Sequence, residues 1–112
     1  MPIRRRKYLI FPNQEALNAI FSYKNTLVHK TFYGEYLFVR EKGAYFAFSS
    51  TCPHQGKPLQ DCWIENGSVV CPFHQFHFSM QNGRGHGLYL DQFELEINEK
   101  GVFLVKEKWS LF

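Results

Sequence analysis

Two short couples of residues constrain this chain more than anything else in it: Cys52-Pro-His54 and Cys71-Pro-Phe-His74, with sixteen residues between them. Each couple offers one sulfur and one imidazole, and each has a proline directly after its cysteine. Proline fixes φ and removes a donor, so neither couple fits a helix interior or a central strand. Both are stiff loops. Between them, Trp63-Ile64-Glu65 and Ser68-Val69-Val70 flank Asn66-Gly67, a dipeptide that tolerates positive φ and reads as a tight type I′ hairpin. Two ligand-bearing loops joined by a hairpin bring their tips together.

The rest of the chain reads as short strands. Asn13 is placed to cap a short helix carrying Leu17, Ile20 and Phe21 on one face. Leu27 to Thr31 is a strand, and Tyr36–Arg40 and Ala44–Phe48 form a hairpin about Glu41-Lys42-Gly43. Gln81 to Gly87 reads as a glycine-rich loop. Phe93, Leu95 and Ile97 then alternate with Glu94, Glu96 and Asn98, and Glu99-Lys100-Gly101 turns the chain into Val102–Val105. Such a run of short strands and turns predicts an all-β sandwich or barrel. At 112 residues, with 45% hydrophobic and 18% aromatic residues, residues 1–112 are expected to form a single domain with a real core.

Charge and cysteine usage narrow the class. The net charge is +3, and much of it lies in Arg4-Arg5-Arg6-Lys7, read as a solvated end; nothing extends that run into a nucleic-acid surface. The basic start is too briefly apolar for a secretory leader, and no stretch approaches the length of a membrane span. A cytoplasmic protein away from membranes is therefore expected. Three cysteines in such a setting point to ligation or free thiols rather than a disulfide framework.

A twice-repeated Cys-then-His couple points to a metal. Cys52, His54, Cys71 and His74 could hold one zinc ion in a tetrahedron. They could instead hold a [2Fe–2S] cluster, two cysteines on one iron and two histidines on the other. Zinc sites usually take a cysteine pair from one knuckle or a histidine pair from one helix. Here each loop supplies one of each, which favours the cluster.

The pattern Cys52-x-His54, sixteen residues, Cys71-x-x-His74, with Gly56 and Pro58 after the first couple, resembles the Rieske iron–sulfur signature. The resemblance runs over about residues 28 to 106. It implies an antiparallel β sandwich or barrel with a small cluster-binding subdomain at about 50–80, and Cys52, His54, Cys71 and His74 as ligands. The family's usual glycine after the second histidine is Gln75 here. High-potential members carry an extra cysteine in each ligand loop, where this chain has Lys57 and Phe73. They also carry a serine and a tyrosine donating hydrogen bonds, where this chain has Phe76 and Phe78. Without those donors the negative charge of the reduced cluster is less stabilised, which implies a low-potential, ferredoxin-like protein.

What the resemblance implies for function is a Rieske-type ferredoxin, carrying single electrons from a reductase to an oxygenase. Alternatives are the small subunit of a nitrite reductase and, in a different class, a zinc-stabilised binding module without redox chemistry. No catalytic residue is expected, since no second metal site for oxygenation is visible. Cys62 falls outside both couples and reads as a buried free thiol. His77, alternating with Phe76 and Phe78, and His86, in the glycine-rich loop, read as non-ligands.

Overall fold

The computed structural model of the chain describes residues 3–53, 56–72 and 75–109. Its strands and single helix follow in the order β1 (Ile3–Phe11), α1 (Gln14–Ala19), β2 (Thr26–Thr31), β3 (Gly34–Glu41), β4 (Ala44–Ser49), β5 (Trp63–Glu65), β6 (Ser68–Val70), β7 (His77–Ser79), β8 (Arg84–Gly85), β9 (Leu88–Tyr89), β10 (Gln92–Asn98) and β11 (Gly101–Trp109). The expected all-β class is correct. Six of these strands make one antiparallel sheet in the order β1-β11-β10-β4-β3-β2. The sheet curls until its two edge strands meet: the rings of Phe11 on β1 and His29 on β2 lie 5.8 Å apart.

Period-two alternation explains where the core sits. In β3, Tyr36 and Phe38 face one side and Leu37 and Val39 the other, and all four are buried. Tyr36 and Phe38 join Phe11, Leu17, Phe21, Ala47, Val102 and Leu104 inside the curl. Leu37 and Val39 join Phe48 and the residues of the long excursion between β4 and β10. A strand buried on both faces is the shared wall of two cores. The helix contributes by plugging the first core with Leu17, fully buried, and Asn13 caps it through a 2.8 Å hydrogen bond from the Ala16 N–H to Oδ1.

The excursion carries β5-β6-β7 as a three-stranded antiparallel sheet and β8-β9 as a two-stranded one. Asn66 and Gly67 adopt φ of 50° and 75°, the paired positive values a type I′ turn needs. Polar contacts fasten the excursion to the large sheet. The Ser49 N–H donates to the Asp91 carbonyl at 2.8 Å, the Thr26 hydroxyl to the Cys62 carbonyl at 3.1 Å, and the Gln92 amide to the Met80 carbonyl at 3.0 Å.

Two regions differ from the sequence expectation. The basic run is not a loose end. It lies within β1, which pairs with β11 over Ile3↔Trp109 to Phe11↔Val102. Arg5 pairs with Glu94, and Lys7 with Glu96 at 2.7 Å, so β10's acidic outer row neutralises part of the run. These exposed pairs each contribute about 0–1 kcal/mol; the ladder and the inward Tyr8, Ile10 and Phe11 hold the strand. The glycine-rich stretch is also not a plain loop. His86 and Gly87, at φ of 54° and 73°, turn β8 into β9 as a miniature hairpin. Gly85 is required there by space: a Cβ would come within 1.8 Å of the His77 carbonyl oxygen.

Candidate metal centre

The two cysteine loops are built alike. In the first, the Lys57 carbonyl accepts from the Cys52 N–H at 2.7 Å; in the second, the Phe76 carbonyl accepts from the Cys71 N–H at 2.8 Å. Each carbonyl lies five residues after its cysteine, and the residue before it has a left-handed backbone: Gly56 at φ 67° and Gln75 at φ 52°. The family glycine missing at 75 is thus replaced by a side chain that adopts the conformation glycine favours. Such a conformation in a non-glycine residue costs about 1–2 kcal/mol, which the Cys71–Phe76 closure and the adjoining β7 hold in place.

Closure turns both sulfurs inward. Cys52 is 1% exposed and Cys71 0%, and both sit in one apolar cluster with Leu59, Val69, Phe78, Met80 and Leu90. His54 and His74, the two imidazoles expected from the sequence, lie outside the described residues, as do Gln55 and Phe73. Among the described residues no group of three or more potential ligands is assembled.

Cys62 is the third cysteine, and the expectation of a buried free thiol is correct: it is 5% exposed, and no cysteine is in a disulfide. Burial pushes its thiol up to about 12, the Thr26 hydroxyl opposes that shift, and the Cys71 sulfur reinforces it. Cys62 is therefore a neutral thiol beside the site, unlike a thiolate ligand.

A pair of buried, unbridged sulfurs, each beside a loop closed on its own backbone, suits an iron–sulfur cluster: the donors are soft and water is excluded. The same sulfurs would suit zinc. What separates the two is kinship. Residues 15–90 match the family model described as the Rieske [2Fe-2S] domain. The chain belongs to the Rieske [2Fe–2S] family. Its cofactor is accordingly a Rieske-type [2Fe–2S] cluster, and the zinc alternative falls.

Among curated Rieske relatives, the ferredoxin component of the alkene monooxygenase system of Xanthobacter autotrophicus (strain ATCC BAA-1158 / Py2) is 30% identical over 77 residues, 65% of this chain and 63% of the relative. Human apoptosis-inducing factor 3 is 31% identical over 83 residues, 70% of this chain but 14% of that protein. The chain thus spans less than two thirds of either relative. Among solved structures, a chain in the complex of reduced oxygenase and oxidized ferredoxin in carbazole 1,9a-dioxygenase shares the Rieske fold. Its TM-score is 0.66 at 19% identity, over 93% of this chain and 97% of the other.

Sequence reasoning missed one arrangement beside the second loop. His86 looked like a turn residue in a glycine-rich stretch, but its ring stacks on Phe76 with centroids 4.5 Å apart, and its Nε2 accepts from the His77 N–H at 3.1 Å. Contacts from a hairpin turn back to residues nine and ten positions earlier leave no periodic signal.

Proposed function

We propose that this chain is a ferredoxin: a one-electron carrier whose Rieske cluster is held by Cys52, His54, Cys71 and His74, moving electrons from a reductase to an oxygenase. The observation that carries this reading is the matched closure of two loops around two buried sulfurs, in a chain of the Rieske family. When bound, the cluster supplies a one-electron couple. The chain's own residues do the remainder. Cys52 and Cys71 hold their end of the site dry within an apolar cluster. Each imidazole would hold the cluster through one nitrogen and keep a proton on the other, which would make the potential fall with rising pH in the alkaline range.

A low potential belongs to the same reading. Phe78 is fully buried and Phe76 partly buried beside the cysteines, and neither side chain can donate a hydrogen bond toward sulfur. The reduced, more negative state lacks that stabilisation, which favours the lower part of the roughly −150 to +300 mV Rieske range.

Partners follow from the names of the relatives. One is the ferredoxin component of a monooxygenase system, and a structural neighbour comes from a complex of ferredoxin and oxygenase. We read residues 1–112 as one domain acting in the cytoplasm, between a reductase donor and an oxygenase acceptor, without nucleic acid or membrane. No helix among the described residues is long and apolar enough to cross a membrane.

The test is composition and redox behaviour together. Iron and acid-labile sulfide at about two each per chain, with a reduced-state paramagnetic signal and a low, pH-dependent potential, are expected. One zinc per chain with no sulfide, in protein purified without oxygen, would overturn the reading.

A further inference from the structure

His86 occupies a strained position and makes two contacts with the same short segment. Its backbone is left-handed at φ 54°, the first of the two positive-φ positions that turn β8 into β9. Its ring is stacked on Phe76 at 4.5 Å and 21° between planes, and its Nε2 accepts from the His77 N–H at 3.1 Å. An accepting Nε2 places the ring proton on Nδ1. Phe76 is the residue whose carbonyl closes the second cysteine loop on the Cys71 N–H, and Gln75 before it is left-handed. Gly85 brings β8 against the β7 backbone so closely that no side chain fits between them.

We infer that His86 is a positioning residue for the cluster: it clamps Gln75-Phe76-His77 from outside and so sets how the second loop presents Cys71. The inference rests on the reading that Cys71 belongs to the cluster site. The segment is held at both ends. The Phe76 carbonyl is tied inward to Cys71, and the His77 N–H is tied outward to His86. On an ordinary strand that N–H would seek a neighbouring strand carbonyl; here the His86 imidazole accepts from it instead. The geometry of backbone dipoles about a ligating sulfur tunes an iron–sulfur cluster, so a residue that fixes the segment tunes the cluster without touching it.

The acceptor and the ring can be separated. Glutamine carries an amide oxygen at about the reach of Nε2, while phenylalanine keeps the stacking face but has no acceptor. Both pay the same left-handed backbone cost. His86→Gln and His86→Phe are therefore compared with the parent as purified holoprotein, by three readouts: iron and sulfide content, hydrogen exchange of residues 75–79, and the reduction potential with the reduced-state g values. His86→Phe should keep its iron and sulfide, exchange residues 75–79 roughly threefold to tenfold faster, as loss of one hydrogen bond implies, and shift both potential and g values. His86→Gln should return all three toward the parent. Parent-like exchange, potential and g values in His86→Phe would overturn the inference, as would shifts in His86→Gln as large as those in His86→Phe, which would mean that restoring the acceptor does not restore the segment. A parent protein lacking iron and sulfide would instead sink the ferredoxin reading, a result distinguishable from either.

Discussion

The two ligand loops make a natural comparison. Both close a cysteine N–H on the carbonyl five residues later, and both turn through a left-handed residue just before it. They differ in two respects. The histidine comes two residues after Cys52 but three after Cys71, and the left-handed position holds Gly56 in one loop and Gln75 in the other. A Cβ at Gly56 would meet nothing within 4 Å, so no crowding requires glycine there; only the φ of 67° does. The same backbone shape is thus obtained freely in the first loop and under strain in the second. Beyond Lys57 the first loop runs on to a lone bridge, Thr51↔Pro58, and the 2.9 Å bond from the Leu59 N–H to the Ser50 carbonyl. The second loop runs straight into β7 and the His86 contacts. A strained loop is tolerated where a strand and a clamp over-determine it.

The largest effect that tests this equivalence is removal of a sulfur. Cys52→Ala and Cys71→Ala should each abolish the cluster, because neither loop offers a second thiolate; iron and sulfide analysis reads the result. Retention of the cluster in one variant would break the symmetry of the loops. Cys62→Ala is the contrasting case and should retain full iron and sulfide. It should also change the alkaline limb of stability. The Cys62 thiol is raised from its ordinary 9.0 to about 12, chiefly by burial. A raised value means the folded state holds the proton more tightly, so the contribution is complete below pH 9 and is lost as pH climbs toward 12. Unfolding followed by circular dichroism across that window should fall less steeply in Cys62→Ala. Equal slopes would show that this thiol contributes nothing to alkaline stability.

Much of this was legible in the chain because it rests on local chemistry. Asn66-Gly67 demands a turn with positive φ, Asn13 offers an oxygen to a helix start, and the alternation of Phe93, Leu95 and Ile97 marks a half-buried strand. The Cys and His couples declare themselves by type and spacing. β1 was hidden because Arg4–Lys7 reads as a solvated run; its pairing depends on β11, about a hundred residues away, and on Glu94 and Glu96 across the ladder. The β8-β9 hairpin was hidden because two-residue strands have no period to detect. What places Gly85 is the approach of the His77 carbonyl, a tertiary fact.

The smallest effect sharpens the comparison most. Replacing Gln75 with glycine removes a left-handed penalty of about 1–2 kcal/mol but frees the unfolded chain, which costs about 0.4–1 kcal/mol. The balance is a net gain of roughly 0.5–1 kcal/mol, read as a higher denaturation midpoint of the holoprotein at unchanged iron content. Gly56→Gln should lose a similar amount, since the space around Gly56 is open and only the backbone resists. If the loops are energetic equivalents, the double exchange should come back close to the parent. A Gly56→Gln loss well above the Gln75→Gly gain would instead mean that β7 and His86 already carry most of the second loop's strain, leaving the first loop dependent on its glycine.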